Sequence, residues 1–333
     1  MHWIIFYLLL TTSCAFAQLP TYTLYYTNPL PINPALAGSA HQFRAGINFR
    51  NQWSNYVSPI TAYSVFADNY FSTINSGIGL SIYTDQAGLA NFRTTQIATY
   101  YAYNAKLNNK IFLKAGIQPA IGFNGQDQGS LTYNDQLSPL STTGKTGLSS
   151  AESAQLGTRK TYFNLNSGLV LTVDRFYIGL SGYNLLMPKI GISSESKLPI
   201  GFGLQSGIKI EFLANQISRK EKKERYIMPH VYFSAIGQSK QLYTGAELVY
   251  EPFTIGLTIR GNYFSKVADN QNISSTAVSI GFRKKNIQFN YAYDLPISSK
   301  TNLLGPSHEV GIRTLLKLWQ RPSRRTIDRL DLF

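Results

Sequence analysis

"NIQFNYAYD", residues 286–294, is the stretch on which the fold of this chain turns. Ile287, Phe289, Tyr291 and Tyr293 fall on one side of an extended segment, and Asn286, Gln288, Asn290, Ala292 and Asp294 on the other. Side chains alternate between the two faces of a strand, so this order describes a strand lying between an apolar and a polar medium. The same order recurs outward from it. Phe253, Ile255, Leu257 and Ile259 oppose Thr254, Gly256, Thr258 and Arg260; Val278, Ile280 and Phe282 oppose Ser279, Gly281 and Arg283; Ile78, Leu80 and Ile82 oppose Gly77, Gly79 and Ser81.

Alternating segments lie near 42–50, 60–67, 76–84, 93–105, 110–122, 161–173, 175–183, 200–212, 229–237, 241–250, 253–261, 274–284, 286–294 and 308–318. Many are close to the roughly 9–11 residues that a tilted strand needs to cross a bilayer. In hydrocarbon an open sheet would leave its edge amides unpaired, so the sheet must close. The pattern therefore predicts an all-β fold, a closed antiparallel transmembrane β-barrel of about 14 strands with its polar face lining the lumen. A soluble β-sandwich also alternates, but so many near-equal strands behind an export signal favour the barrel. Only 14% of the 333 residues are charged, against 22 Tyr, 19 Phe and 26 Gly. Disorder would lack those aromatics, and a helical membrane protein would show runs of about eighteen apolar residues, which are absent.

"WIIFYLLL", residues 3–10, is too short to span a bilayer and is followed by Ala15-Phe16-Ala17, the A-x-A form of a cleavage site. Residues 1–17 read as a secretory signal; Thr11-Thr12-Ser13 is a poor lipobox for the alternative, acylation of Cys14. Cys14 is the only cysteine, so a mature chain beginning at Gln18 has no disulfide and no thiolate metal site. The organisation expected is a signal (1–17), a periplasmic proline-rich lead (18–41), the barrel (42–318) and a basic tail (319–333). Connections 85–92, 123–160, 184–199, 262–273 and 295–307 are long, while 106–109, 174–175, 251–252 and 284–286 are short; 238–240 and 213–228 break the alternation. With long connections extracellular, both termini are expected in the periplasm.

The net charge is +14. Arg219, Lys220, Lys222, Lys223 and Arg225 form one basic run on the expected periplasmic side, and Arg321, Arg324, Arg325 and Arg329 another. Each is either a solvated face or a docking surface for an acidic periplasmic protein. By parity Arg44, Arg50, Lys114, Lys209, Arg260, Arg283 and Arg313 point into the lumen, with Glu211, Glu247, Asp294 and Glu309. Facing lipid at the midplane would cost about 2–4 kcal/mol for each Arg or Lys. Such charges are either ion-paired packing or the lining of an anion-preferring channel.

No catalytic constellation emerges. Gly144-Lys145-Thr146 ends like a phosphate-binding loop, but Pro139 stands where the upstream glycine is required. Ser194 and Lys197 form S-x-x-K without its companion motifs. His41, His230 and His308 are not spaced as a zinc pair. A non-enzyme without cofactor or metal is expected.

The entrance, "YYTNPLPINPALAGSAHQFRAGINFRNQW" at 25–53, holds Asn33-Pro34-Ala35 and Gly38, then Arg50-Asn51-Gln52-Trp53. It resembles the entrance of the PorP/SprF family of outer-membrane proteins of the type IX secretion system. "MPHVYFSAIGQSKQLYTGAELVYEPFTIGLTIRGNY" at 228–263 is similar to that family's central strands and "SHEVGI" at 307–312 to its last strand; the tail "QRPSRRTIDRLDLF" after Trp319 departs from it. The resemblance implies a barrel serving secretion or gliding, with two kinds of partner: a secreted surface protein held through its C-terminal domain, and periplasmic components or lipoproteins of the machinery. A general or anion-preferring porin or transporter is the alternative, and a structural link to peptidoglycan or a motor a third. Pro29, Pro31 and Pro34 cannot donate ladder hydrogen bonds and are expected to keep the lead out of the sheet. Trp53 is either an interface aromatic or a cargo contact, and connection 123–160 is the expected place for cargo.

Overall fold

Each alternating segment forms a strand in the computed structural model of the chain, which describes residues 22–88, 91–126, 159–191, 196–212, 224–261, 273–297 and 304–317. The first seven strands are β1 (Phe43–Gln52), β2 (Ile60–Phe71), β3 (Ser76–Ala87), β4 (Phe92–Lys106), β5 (Ile111–Gly125), β6 (Arg159–Val173) and β7 (Phe176–Tyr183). There follow β8 (Gly201–Ile208), β9 (Ile210–Glu211), β10 (Arg225–Ile236), β11 (Ser239–Tyr250), β12 (Phe253–Gly261), β13 (Ile273–Lys284), β14 (Ile287–Pro296) and β15 (Ser307–Leu316). β8 and β9 are one strand interrupted at Lys209, since both pair with β10. Fifteen strands with two sharing one stave make a fourteen-stave barrel. β15 pairs with β1, and β10 pairs with both β8 and β11, so the antiparallel sheet closes on itself without an edge.

The inverted distribution of polarity identifies the surrounding medium. Along β12, Phe253, Ile255 and Leu257 are exposed while Thr254 and Thr258 are buried; along β5, Ile117 and Ile121 are exposed while Lys114 and Gln118 are buried. A soluble sandwich would bury the first set. Here the apolar face points outward, as hydrocarbon requires, and the polar face points in.

Consecutive connections alternate between the two mouths. One mouth carries 53–59, 88–91, 126–158, 184–200, 237–238, 262–272 and 297–306; the other carries 72–75, 107–110, 174–175, 212–224, 251–252 and 285–286. The first is the long-connection mouth and the second the short-turn mouth, with 237–238 and 212–224 as the exceptions already visible in the sequence. Expectations for residues 1–21, the Gly144-Lys145-Thr146 run, Ser194, Arg219, Lys220, Lys222, Lys223 and the tail from 318 lie outside the described residues.

The entrance segment differs from the expected periplasmic lead. It forms no strand, as its prolines dictate, but it lies inside the barrel: residues 22–40 are buried, Pro31 excepted, with Leu24, Leu30, Asn33 and Ala35 at 0% exposure. It enters beside Arg50 and Glu309 near the long-connection mouth and leaves beside Asp68 and Gly77 at the short-turn mouth, where β1 starts. Tyr22 and Lys317, the ends of the described chain, therefore sit at opposite mouths rather than on one side. The physical reason lies in the width of the barrel. Eight staves can be filled by side chains alone, whereas sixteen to eighteen leave an aqueous channel. A barrel of this size has room for a peptide.

Candidate functional site: the occupied lumen

The second half of this internal plug is keyed into the wall. Pro34–Leu36 form one 3₁₀ turn capped by Asn33, whose Oδ1 accepts from Ala35 N at 2.9 Å. Asn33 Nδ2 donates to Leu169 O on β6 and to Leu180 O on β7, both at 3.1 Å, so one amide satisfies the turn and ties it to two staves. The wall makes room with glycines. A Cβ on Gly168 would overlap Asn33 Oδ1, one on Gly116 would overlap Ala35 N, and one on Gly77 would overlap Ala37 O. Gly38, at φ +69°, turns the chain against Gly77, a conformation and an approach that a side chain would obstruct.

An ion pair fixes the same end. Arg44 Nε and Nη2 donate to Asp68 Oδ1 and Oδ2 at 2.8 Å each, with both side chains at 0% exposure. Arg44 Nη2 also reaches Leu36 O at 3.3 Å, and Asp68 Oδ2 accepts from Gly38 N at 2.7 Å. The pair thus links β1 to β2 and both to the plug. Just ahead of β1, His41 packs its ring 4.6 Å from that of Tyr70. Burial, and after it the Lys114 charge, holds its imidazole down at about 3, so it is neutral.

A second cluster holds the first half of the plug. Glu309 Oε2 accepts from Thr23 N at 2.7 Å and Glu309 Oε1 from Leu24 N at 3.2 Å. Arg50 Nη1 donates to Thr23 Oγ1 at 2.5 Å and to Glu309 at 3.1 Å, while Arg50 Nη2 donates to Asp294 at 3.0 Å. Arg260 Nη2 joins Asp294 at 3.1 Å. Below it, Tyr25 packs against Tyr232, Tyr243 and His230, and Tyr26 Oη donates to Ser279 Oγ at 2.9 Å.

Of the expected lumen charges, Arg44, Arg50, Lys114, Glu247, Asp294, Glu309 and Arg313 are buried, and Arg260 and Arg283 are largely so. Arg313 Nη2 donates to Gln288 at 2.7 Å. Glu211 is the exception. The register with β10 runs unbroken across Lys209, so Ile210 stays outward like Ile208, and Glu211 is exposed because it ends the stave at the rim, 3.8 Å from Arg175. Lys209 sits at the break, its Nζ 4.3 Å from the ring centroid of Tyr226. Of the expected docking run, Arg225 is described; it begins β10 with its guanidinium over the ring of Tyr250. Among the motif residues, Asn33 to Gly38 and Arg50 belong to the plug and its clamps. Asn51 and Gln52 finish β1, and half-buried Trp53 turns the chain at φ 63°.

Fold and site together define an outer-membrane β-barrel closed by its own N-terminal segment. The chain belongs to the PorP/SprF family, described as "Type IX secretion system membrane protein PorP/SprF", whose family model matches residues 15–314. A comparison with curated proteins gives no match. Among solved structures it is similar to outer membrane protein Omp33 of Acinetobacter baumannii, with 6% identity, TM-score 0.43, and coverage of 83% of this chain and 98% of that one. It is also similar to the toluene transporter TodX of P. putida, with 10% identity, TM-score 0.46, and coverage of 90% and 95%. It is an outer-membrane component of type IX secretion.

Proposed function

We propose that this chain is a non-catalytic anchor or receptor of the type IX machinery, presenting its long-connection mouth to the cell surface and its short-turn mouth to the periplasm. The observation that carries this reading is the occupied lumen. A diffusion porin needs a continuous aqueous path, and here residues 22–40 lie buried in the lumen, with Glu309 and Asp68 of the wall accepting from their main chain. The test is planar-bilayer conductance of the full-length chain, expected to be silent; a steady open current would turn the assignment to the porin.

Two further outcomes belong to this reading. Cargo, a secreted protein held through its C-terminal domain, is assigned on this reading to connection 123–160. Deleting 130–155 should leave the barrel heat-modifiable on gels yet release that protein from the surface, and retained cargo would reject the placement. The basic run of Arg219, Lys220, Lys222, Lys223 and Arg225 is placed against an acidic periplasmic component or lipoprotein. Reversing the signs of Lys220, Lys222 and Lys223 should abolish its co-purification; an unchanged pull-down would leave these lysines as a solvated face.

A further inference from the structure

The two halves of the plug are held in different ways. Residues 33–38 are locked by shape, since Cβ atoms on Gly77, Gly116 or Gly168 would overlap them. Residues 22–32 meet the wall at ordinary distances: from a Cβ on Gly79, Gly256 or Gly311 the nearest plug atoms would be Leu30 Cδ1 at 3.5 Å, Tyr26 Oη at 3.6 Å and Thr27 Oγ1 at 3.6 Å. This half is retained by hydrogen bonds and ring contacts of the kind that recognise a peptide. One carboxylate, Glu309, takes two successive main-chain N–H groups; a guanidinium, Arg50, takes the Thr23 hydroxyl; Asn48 Nδ2 reaches Thr27 Oγ1 at 3.0 Å; and an aromatic recess takes Tyr25. The wall groups are also held by one another through the Arg50–Glu309, Arg50–Asp294 and Arg260–Asp294 pairs, so the recess is built by the staves themselves.

The resident segment leaves that recess incompletely used. Arg50 Nε, in a residue at 1% exposure, is buried without a hydrogen-bond partner. Buried polar groups are normally satisfied, and each such atom carries a desolvation cost that a better-matched ligand would relieve. The recess also lies toward the mouth where, on the reading above, secreted chains arrive.

We propose that the recess formed by Arg50, His230, Tyr232, Tyr243, Asp294 and Glu309 is a peptide-binding site, filled by residues 22–28 of the chain itself and open in trans to an extended segment of a secreted protein bearing a hydroxyl residue followed by aromatic ones. This deepens the receptor reading and rests on it. The tethered segment competes at an effective concentration on the order of millimolar, so a free peptide enters only when the resident is weakened.

The experiment uses full-length protein in mild detergent and a fluorescein-labelled peptide of residues 18–30, QLPTYTLYYTNPL, followed by anisotropy. Thr23→Ala with Tyr25→Ala weakens the resident and leaves the wall intact; this chain should bind the peptide at least about tenfold more tightly than wild type, the worth of one or two lost contacts. Adding Glu309→Gln should return the affinity to the wild-type level, and a scrambled peptide should not bind. Heat-modifiability on gels confirms that each variant is folded. If Glu309→Gln prevents folding in that background, Asn48→Ala replaces it as the wall variant. A folded Thr23→Ala/Tyr25→Ala chain that binds no better than wild type overturns the proposal. The receptor reading fails separately, through an open current in the wild-type barrel.

Discussion

Deleting residues 22–40 from the full-length chain should turn a silent barrel into one that carries a steady ionic current. The inward faces of the staves are polar, with Arg44, Arg50, Asp294 and Glu309 among them, and water would replace the peptide that now engages them. Side chains alone do not fill a barrel of this width. The same result should follow without a deletion. Gly116→Val with Gly168→Val places methyl groups where Ala35 and Asn33 now sit, so the second half of the plug cannot seat and the barrel should leak. Planar-bilayer recording checks both variants, with heat-modifiability as the control for folding. Folded but silent variants would mean that the wall closes the lumen unaided.

The second large effect is on stability. Asp68→Asn should lower the temperature at which the folded band is lost on gels, because it leaves Arg44 charged, fully buried and without its carboxylate. Breaking one side of such a pair costs about 3–5 kcal/mol, whereas replacing both partners by apolar residues of similar volume is often close to neutral. Arg44→Met with Asp68→Leu should therefore recover much of the loss, short of the acceptor that Gly38 N gives up. A heat resistance unchanged in Asp68→Asn would show that the pair does not hold the plug to β1 and β2.

The barrel was legible because lipid outside and polar groups inside write a period of two into every stave; Ile287 to Asp294 state it in nine residues. Parity also carried the lumen charges, since Arg44, Arg50, Asp294 and Glu309 stand on polar faces where lipid would be costly. It was least telling at Glu211, which ends its stave at the rim, where either face meets solvent. The occupant of the lumen was the larger omission. A segment without periodicity gives no direction, and prolines that exclude it from a sheet do not say on which side of the sheet it lies. Two signals were nonetheless present. Leu24, Tyr25, Tyr26, Leu30, Ile32 and Leu36 make the lead too apolar for a solvated one, and parity turns Gly77, Gly116 and Gly168 inward as a row of dents awaiting a backbone.

Residues 22–40 inside the barrel are the point on which closure, receptor role and peptide recess all depend, and amide hydrogen exchange of the full-length protein in detergent reads it directly. The amides of Thr23, Leu24, Ala35 and Gly38 donate to buried acceptors and should stay protected as long as those of the staves. Exchange of the whole segment within seconds, beside protected staves, would place it in solvent and contradict the account.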